Sequence, residues 1–436
     1  MKIAWFKRII SPEIGAMIAG YSFNDFAVAK RDDLFMSGLC CDDGQDKVLL
    51  ISFDLQALDE FFIREMREKC GALLNIPQEA VMLTCTHNHS GPQTICEAGH
   101  EADLHTEYMK FLGDAILEET AGLSGKFVEV DLYFYSSKID ANTNRRYVSP
   151  DNYASFLPYC NFMRELADGF ADKEFGSLFF RDKKSGEICY GIGNYAAHPL
   201  AGHAPALGGK VISADFPGAF RNYVTGETGV EVMFISGALG DMVPKGDELG
   251  SDSVEKMGIA LGKEFIRSMI GATRAPDRFK VDDPKVGAII RKLTVPLRKK
   301  FRNNPATMPK HYLGSDVHEL EVQCIAIGDI CFVGMPGEVC AELGQEVKWH
   351  SPFRRTFIAF VATAYIDYVC PGNFLVSGGY EGRMHHFSAR NSIDLVKCAV
   401  DAAYELRDMM YPAPGDEPYP DYLDSGLVNL YPGKNS

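Results

Sequence analysis

The seven residues Thr86-His87-Asn88-His89-Ser90-Gly91-Pro92 bring together the densest set of reactive groups in this 436-residue chain. They follow the apolar run Ala80 to Cys85 (AVMLTC), which reads as a buried strand. Neutral imidazole is a common metal ligand, and in an H-x-H pair the second ring serves as ligand or as hydrogen-bonding neighbour. Three further predicted strands end in groups of the same kind. Ile188 to Tyr195 runs into Ala197-His198-Pro199, where proline stops any helix and holds the histidine at the strand end. The stretch Glu321 to Val333 leads to Gly334-Met335-Pro336-Gly337-Glu338, which places a carboxylate at the first turn of a following helix. Phe357 to Ala362 leads to Tyr365-Ile366-Asp367-Tyr368. Four strand ends thus deliver His, His, Glu and Tyr. Loops also carry polar residues at strand ends in any α/β protein, so spacing alone leaves both readings open.

The elements that must position these groups alternate along the chain. Strands are expected at Val48 to Phe53, running into Asp54, and at Phe127 to Tyr135, Gly176 to Phe180 and Glu231 to Ile235. Helices are expected at Leu58 to Leu74, Glu107 to Leu123, Ser253 to Ile270 and Ser388 to Met409. Glu321 to Val333 reads as two strands turning at Gly328-Asp329. This pattern predicts an α/β fold of mixed sheets with flanking helices. The domain expectation is one unit over residues 1–412 with a loose tail over 413–436, and the basic, proline-bearing segment from Pro276 to Asp316 reads as a connection or flap.

Charge and composition exclude whole classes of function. With 44 Lys+Arg against 59 Asp+Glu the formal net charge is −15, which argues against a nucleic-acid partner because phosphate binding runs on clustered cations. No apolar run approaches the roughly 18 residues of a membrane span. Lys7 and Arg8 stand where a signal peptide needs its apolar stretch, so the expected location is cytoplasmic, and the 12 cysteines, with no C-x-x-C spacing, read as buried thiols. Gly191-Ile192-Gly193 resembles a dinucleotide fingerprint only loosely, since His198-Pro199 bars the helix that would receive phosphates. No G-x-S-x-G elbow occurs. His203, His385 and His386 read as pocket-lining, core or solvated residues, and the run Arg298-Lys299-Lys300-Phe301-Arg302 as a solvated face or a receiver of an acidic partner.

Taken together the motifs resemble those of the neutral/alkaline ceramidases. The family's His-Thr-His-Ser-Gly-Pro loop matches His87 to Pro92, its His-Pro matches His198-Pro199, and its Pro-Gly-Glu-Phe matches Pro336 to Val339. Its Asn-x-Tyr-x-x-Tyr-(Ile/Val) matches Thr363 to Val369, with threonine for asparagine, and a later Tyr-Glu matches Tyr380-Glu381. Gly20-Tyr21 and Asp54 are similar too, and the resemblance spans roughly Ile3 to Ala402, the family's catalytic domain. It implies a zinc-dependent amidase whose metal is held by His87, His198, Glu338 and Tyr368. His89 would be a proton-transfer group, and Arg145 and Tyr380 oxyanion stabilisers.

One motif departs from the family. Gly-Asp-Val-Ser-Pro-Asn, whose serine is assigned as nucleophile, reads Gly240-Asp241-Met242-Val243-Pro244-Lys245 here. A valine side chain can neither attack a carbonyl nor donate a hydrogen bond, while Asp241 is kept and could orient a neighbour. The expectation is a catalytic domain without the family's C-terminal immunoglobulin-like domain or its secretion signal. The expected function is therefore a zinc-dependent hydrolase in which an activated water attacks an amide-type bond of a small polar substrate, with poor activity on ceramide. An ester- or sugar-cleaving enzyme on the same scaffold and a non-catalytic ligand-binding protein remain the alternatives.

Overall fold

The computed structural model describes residues 1–412 apart from 21–24, 97–104, 149–153, 157–168, 202–209, 246–250 and 310–311. His203, the acidic stretch 97–104 and the tail 413–436 thus lie outside the described residues.

Two sheets form the centre. The larger one is built from β1 (Lys2–Ile9), β2 (Phe35–Asp42), β3 (Lys47–Phe53), β4 (Val81–Cys85), β5 (Val128–Lys138), β6 (Glu174–Asp182), β7 (Ile188–Tyr195) and β8 (Glu231–Ser236). They lie in the order β8-β7-β6-β5-β1-β2-β3-β4, with Lys280–Val281 added beside β5. Neighbours are antiparallel except for two parallel pairs, β3/β4 and β7/β8. The smaller sheet has β9 (Val286–Pro296), β10 (Val317–Ile327), β11 (Ile330–Gly334) and β12 (Arg355–Ala359) side by side, with β11 and β12 parallel.

The sheets face each other through one apolar layer, in which Leu39, Leu50, Leu178 and Ile192 of the larger meet Ile325, Phe332 and Phe357 of the smaller. Their outer faces are covered by helices, as the alternation of apolar positions requires. Over β1 to β4 lie α1 (Glu60–Leu74) and α2 (Thr106–Ala121). Over β5 to β8 lie α3 (Asp215–Thr228) and α4 (Ser251–Arg274). Over the smaller sheet lie α5 (Ala341–His350) and α6 (Ala389–Met410). The result is a helix–sheet–sheet–helix sandwich, the mixed α/β class expected. Local signals agree with it: Asp59 caps α1 by accepting from Phe61 N at 2.9 Å, worth about 1 kcal/mol, and Asn75 closes the helix in the left-handed conformation. No helix among the described residues is long and apolar enough to cross a membrane.

Two expectations are corrected. The segment from Pro276 to Asp316 is not merely a connection, because Val286–Pro296 is an eleven-residue edge strand paired along its whole length with β10. Charges on both faces hide the pattern: Arg291 reaches Glu405 of α6 at 2.7 Å and Lys292 reaches Glu319 of β10 at 2.8 Å. Glu338 does not open a helix. It sits in the two-residue strand Glu338–Val339, paired in parallel with Tyr368–Val369, and α5 begins three residues later. The strands β1 and β2 were not anticipated at all. Lys7 and Arg8 blur the alternation of the first, although it runs antiparallel to the second over eight residue pairs.

The carboxyl ends of β4, β8 and β12 come together, and buried polar side chains tie them to one another there. Thr84 Oγ1 donates to Phe360 O at 2.7 Å, Ser236 Oγ to Thr86 O at 2.8 Å, and Asn194 Nδ2 to Ile235 O and Ile358 O at 2.9 and 3.0 Å. Each bond gives a buried side chain a backbone acceptor.

Candidate functional site

The loop after β4 is held from both sides. Thr86 N donates to Phe53 O and Asn88 N to Leu55 O, while Asn88 Nδ2 bridges Asp54 O and Ser213 O at 3.1 and 2.7 Å. Asp54 is fixed in turn by a bidentate contact with Arg221. Within this frame His87 adopts φ +65°, and Val361 and Asp367, at +44° and +52°, lie in the loop that follows β12. Left-handed backbone costs a non-glycine residue about 1 kcal/mol or more and gathers where a site demands it.

His87 and His198 are fully buried and carry the same signature. His87 Nδ1 lies 3.0 Å from Gln56 O, and His198 Nδ1 lies 2.9 Å from Met242 O. A carbonyl only accepts, so both rings hold their proton on Nδ1 and turn the Nε2 lone pair inward. The two Nε2 atoms lie 3.4 and 3.3 Å from the same atom, Glu338 Oε2. Glu338 Oε1 accepts from Tyr365 Oη at 3.1 Å. His89 also turns Nδ1 to a carbonyl, Gly20 O at 3.2 Å, and the candidate ligand atoms of His87, His89 and His198 lie within 4.8 Å of one another, so this group could hold a metal ion. The Gly20 backbone, at φ +91°, comes so close that a Cβ there would sit 2.4 Å from His89 Nδ1; only glycine fits.

The rest of the centre is an ion network. Arg145 donates through Nε to Glu381 Oε1 at 2.8 Å and through Nη2 to Tyr368 Oη at 2.9 Å. Arg146 binds the other oxygen of Glu381 at 2.9 Å and stacks over Phe374 at 3.6 Å. Tyr380 lies with its ring 5.4 Å from that of Tyr368 and is partly exposed to the cavity. Asp241 is buried away from this cluster's open side. It accepts from Asn144 Nδ2 at 2.6 Å and from Ala341 N at 2.8 Å, and its own carbonyl receives Arg145 N, so it fixes the strand that carries Arg145 to the start of α5. Val243 is fully buried and pairs with Thr143 in the ladder Met242–Pro244 against Asn142–Asn144.

A cavity of about 480 Å³ opens beside the cluster and is walled by Gly20, Gln56, Tyr365 and Tyr380 on that side. His386 lines it, bonded to Asp367 at 2.8 Å, whereas His385 is a core residue whose Nδ1 donates to Tyr368 O at 2.9 Å. Sequence reasoning placed the charged and aromatic members of this site but missed Arg146, Tyr365 and the carbonyls of Gln56 and Met242. Arg146 follows Arg145 directly and could have been suspected; backbone acceptors leave no trace in residue type.

Burial dominates the protonation of the site. It pushes His198 and His385 down to about 4, and it pushes His89 well below the ordinary histidine value, helped there by His87 and His198. Asp241 is raised by burial to about 6. The depressed histidines bind a proton more readily in the unfolded chain, so their contribution is whole above pH 6.5 and is lost as pH falls toward 4. The raised Asp241 acts oppositely between 3.8 and about 6, and two histidines outweigh it. The melting temperature of chelator-treated protein should therefore fall from pH 7 to pH 5, as scanning calorimetry would register; a constant or rising value would contradict the buried neutral histidines.

No protein-family model matches the sequence, and no curated protein matches it. Solved structures do match. The chain is similar to the neutral ceramidase from Pseudomonas aeruginosa, with a TM-score of 0.77 and 18% identity over 96% of this chain and 76% of that one. It is similar to a ceramidase complexed with C2, with a TM-score of 0.76 and 16% identity over 96% of this chain and 77% of that one. The fold is therefore that of the neutral ceramidases.

Proposed function

We propose that the chain is a zinc-dependent hydrolase that cleaves an amide-type bond in a small polar substrate. The observation that carries this reading is the approach of two imidazole lone pairs to a single carboxylate oxygen, at 3.4 and 3.3 Å. Three acceptors facing one another in a buried space repel, and a cation among them turns the repulsion into coordination. The backbone carbonyls behind both rings act as the outer partners that metal-bound histidines commonly have. His87, His198 and Glu338 would hold the ion together with Tyr368, whose hydroxyl accepts from the Arg145 guanidinium; burial raises the pKa of this phenol against the lowering by Arg145, so the ion itself would have to stabilise the phenolate. Zinc held there would polarise the substrate carbonyl and bring the pKa of water toward about 7.

The chain's own groups do the rest. His89 is neutral and has Nδ1 committed to Gly20 O, so it can take a proton at Nε2 and pass it to the leaving amine. Tyr380 keeps its proton, because burial raises its pKa, and can donate to the developing oxyanion. Arg145 holds Tyr368 in place and adds positive charge at the same point, and Asp241 positions Arg145 through the backbone.

Two variants separate ligand from proton carrier. Tyr368→Phe should weaken zinc binding by at least about tenfold, whereas His89→Ala should keep stoichiometric zinc and lose turnover. Metal titration of both variants checks this, and the reverse pattern would make the three histidines the ligand set. Hydrolysis itself is tested on acyl-amino, ester and glycoside substrates, with chelation expected to abolish cleavage and zinc to restore it.

Val243 bears on the attacking group. Its side chain is packed in the sheet ladder, so Val243→Ser should bring no gain in amidase activity and cost about 1 kcal/mol or more of stability through the lost apolar burial. A tenfold rise in amide hydrolysis by the variant would show instead that the scaffold needs only its serine.

A further inference from the structure

Tyr365 meets the cluster at a point that the reading above leaves unused. Glu338 presents its two oxygens to different partners: Oε2 faces His87 Nε2 and His198 Nε2 at 3.4 and 3.3 Å, and Oε1 accepts from Tyr365 Oη at 3.1 Å. An ionised carboxylate is an acceptor at both oxygens, so the phenol commits one of them and leaves the other to the imidazole pair. The backbone fixes the two residues against each other. Gly337 N donates to Ala364 O at 2.8 Å and Glu338 N to Asp367 O at 2.7 Å, and Glu338 pairs with Tyr368 in the short parallel ladder. The turn that allows this needs Gly337 at φ +66°, where a Cβ would stand 2.5 Å from Asp367 O. The Tyr365 ring is held as well, stacked at 24° to the His87 ring with centroids 6.4 Å apart. Tyr365 lines the cavity, whereas Glu338 is 2% exposed and lies behind it.

A carboxylate binds a cation through one oxygen or through both. A catalytic metal differs from a structural one in keeping a position open. We propose that Tyr365 is a positioning residue that restricts Glu338 to one oxygen and so preserves an open position on the bound metal for water and substrate. The proposal rests on the zinc hydrolase reading and adds to it a residue outside the ligand set. Loss of the hydroxyl frees Oε1, which is attached to a ligand already in place, and the second oxygen then fills the open position. A hydrogen bond that merely stabilises the site predicts something else: metal affinity lower by roughly 10–100-fold with the coordination number unchanged.

The test compares the full wild-type chain with Tyr365→Phe, each loaded with cobalt(II) in place of zinc. Phenylalanine keeps the ring against His87, so the variant should fold, as circular dichroism would register. The visible absorption of cobalt(II) weakens as its coordination number rises, and the variant's bands should be at least about twofold weaker than those of the wild type. Acetohydroxamate, which seeks an open metal position, should bind the variant at least about tenfold less tightly. Zinc affinity, measured by competition with a chelating dye, should stay within about threefold, because the gained oxygen offsets the lost hydrogen bond. Unchanged cobalt bands would overturn the proposal. So would zinc affinity lowered tenfold or more with acetohydroxamate binding intact, since the hydroxyl would then only support the ligand. The expected spectral change in a protein that cleaves none of the acyl-amino, ester and glycoside substrates would leave Tyr365 in this role and remove the hydrolase reading. Unchanged bands with cleavage intact would do the opposite. A wild type that takes up neither cobalt nor zinc would overturn both.

Discussion

Replacing His198 by alanine is expected to abolish zinc retention and to lower turnover on any cleaved substrate by about a thousandfold or more. The residue is fully buried, its Nδ1 is fixed by Met242 O at 2.9 Å, and its Nε2 faces Glu338. No neighbouring side chain can swing into its place, because His87 and His89 are each held by their own carbonyl. Removing it takes away both a ligand and the geometry of those that remain. Folding should survive, since His198 projects from the end of the strand rather than packing between the sheets. Circular dichroism together with elemental analysis separates loss of metal from loss of fold. A variant that retains full zinc and full turnover would sink the ligand assignment.

Glu381→Leu should produce the largest loss of stability, roughly 3–5 kcal/mol. Among the described residues Glu381 is the carboxylate that joins two buried guanidiniums, with Arg145 at 2.8 Å and Arg146 at 2.9 Å. Burial alone would raise its pKa, but the two arginines hold it below the ordinary value, so it is ionised and balances them. Removing it strands two positive charges that are each about 2% exposed. The consequence reaches the proposed metal site, because Arg145 would no longer be oriented toward Tyr368. Denaturant midpoints for wild type and variant measure the effect. A loss below about 1 kcal/mol would mean that the network relaxes to water and is not the structural frame argued here.

The sequence made the site more legible than the sheet around it. His87, His198, Glu338 and Tyr368 each follow an apolar run, and an imidazole or carboxylate at a strand end is a chemical signal that survives without knowledge of pairing. The strands were legible where both faces are buried, as in Val48 to Phe53 and Val81 to Cys85, since a continuous apolar run records that environment. They were hidden where charges stand on both faces: the adjacent pairs Lys7-Arg8 on β1 and Arg291-Lys292 on β9 break the alternation and look like loop charges until the pairing of their strands is known. Glu338 was misplaced by three residues for a related reason. Gly337 at φ +66° turns the chain so that Glu338 pairs with Tyr368, and a long-range partner cannot be read from local spacing. The same limit explains Glu381, which the sequence showed as part of a motif but whose two arginine partners lie more than two hundred residues earlier.

The most direct test of a zinc centre is the metal content of the wild-type chain purified without added metal or chelator, measured by elemental analysis against protein concentration. The account predicts close to one zinc per chain, removed by a strong chelator and restored by titration with zinc. Protein that carries no transition metal, and that takes up none at micromolar zinc near neutral pH, would contradict it.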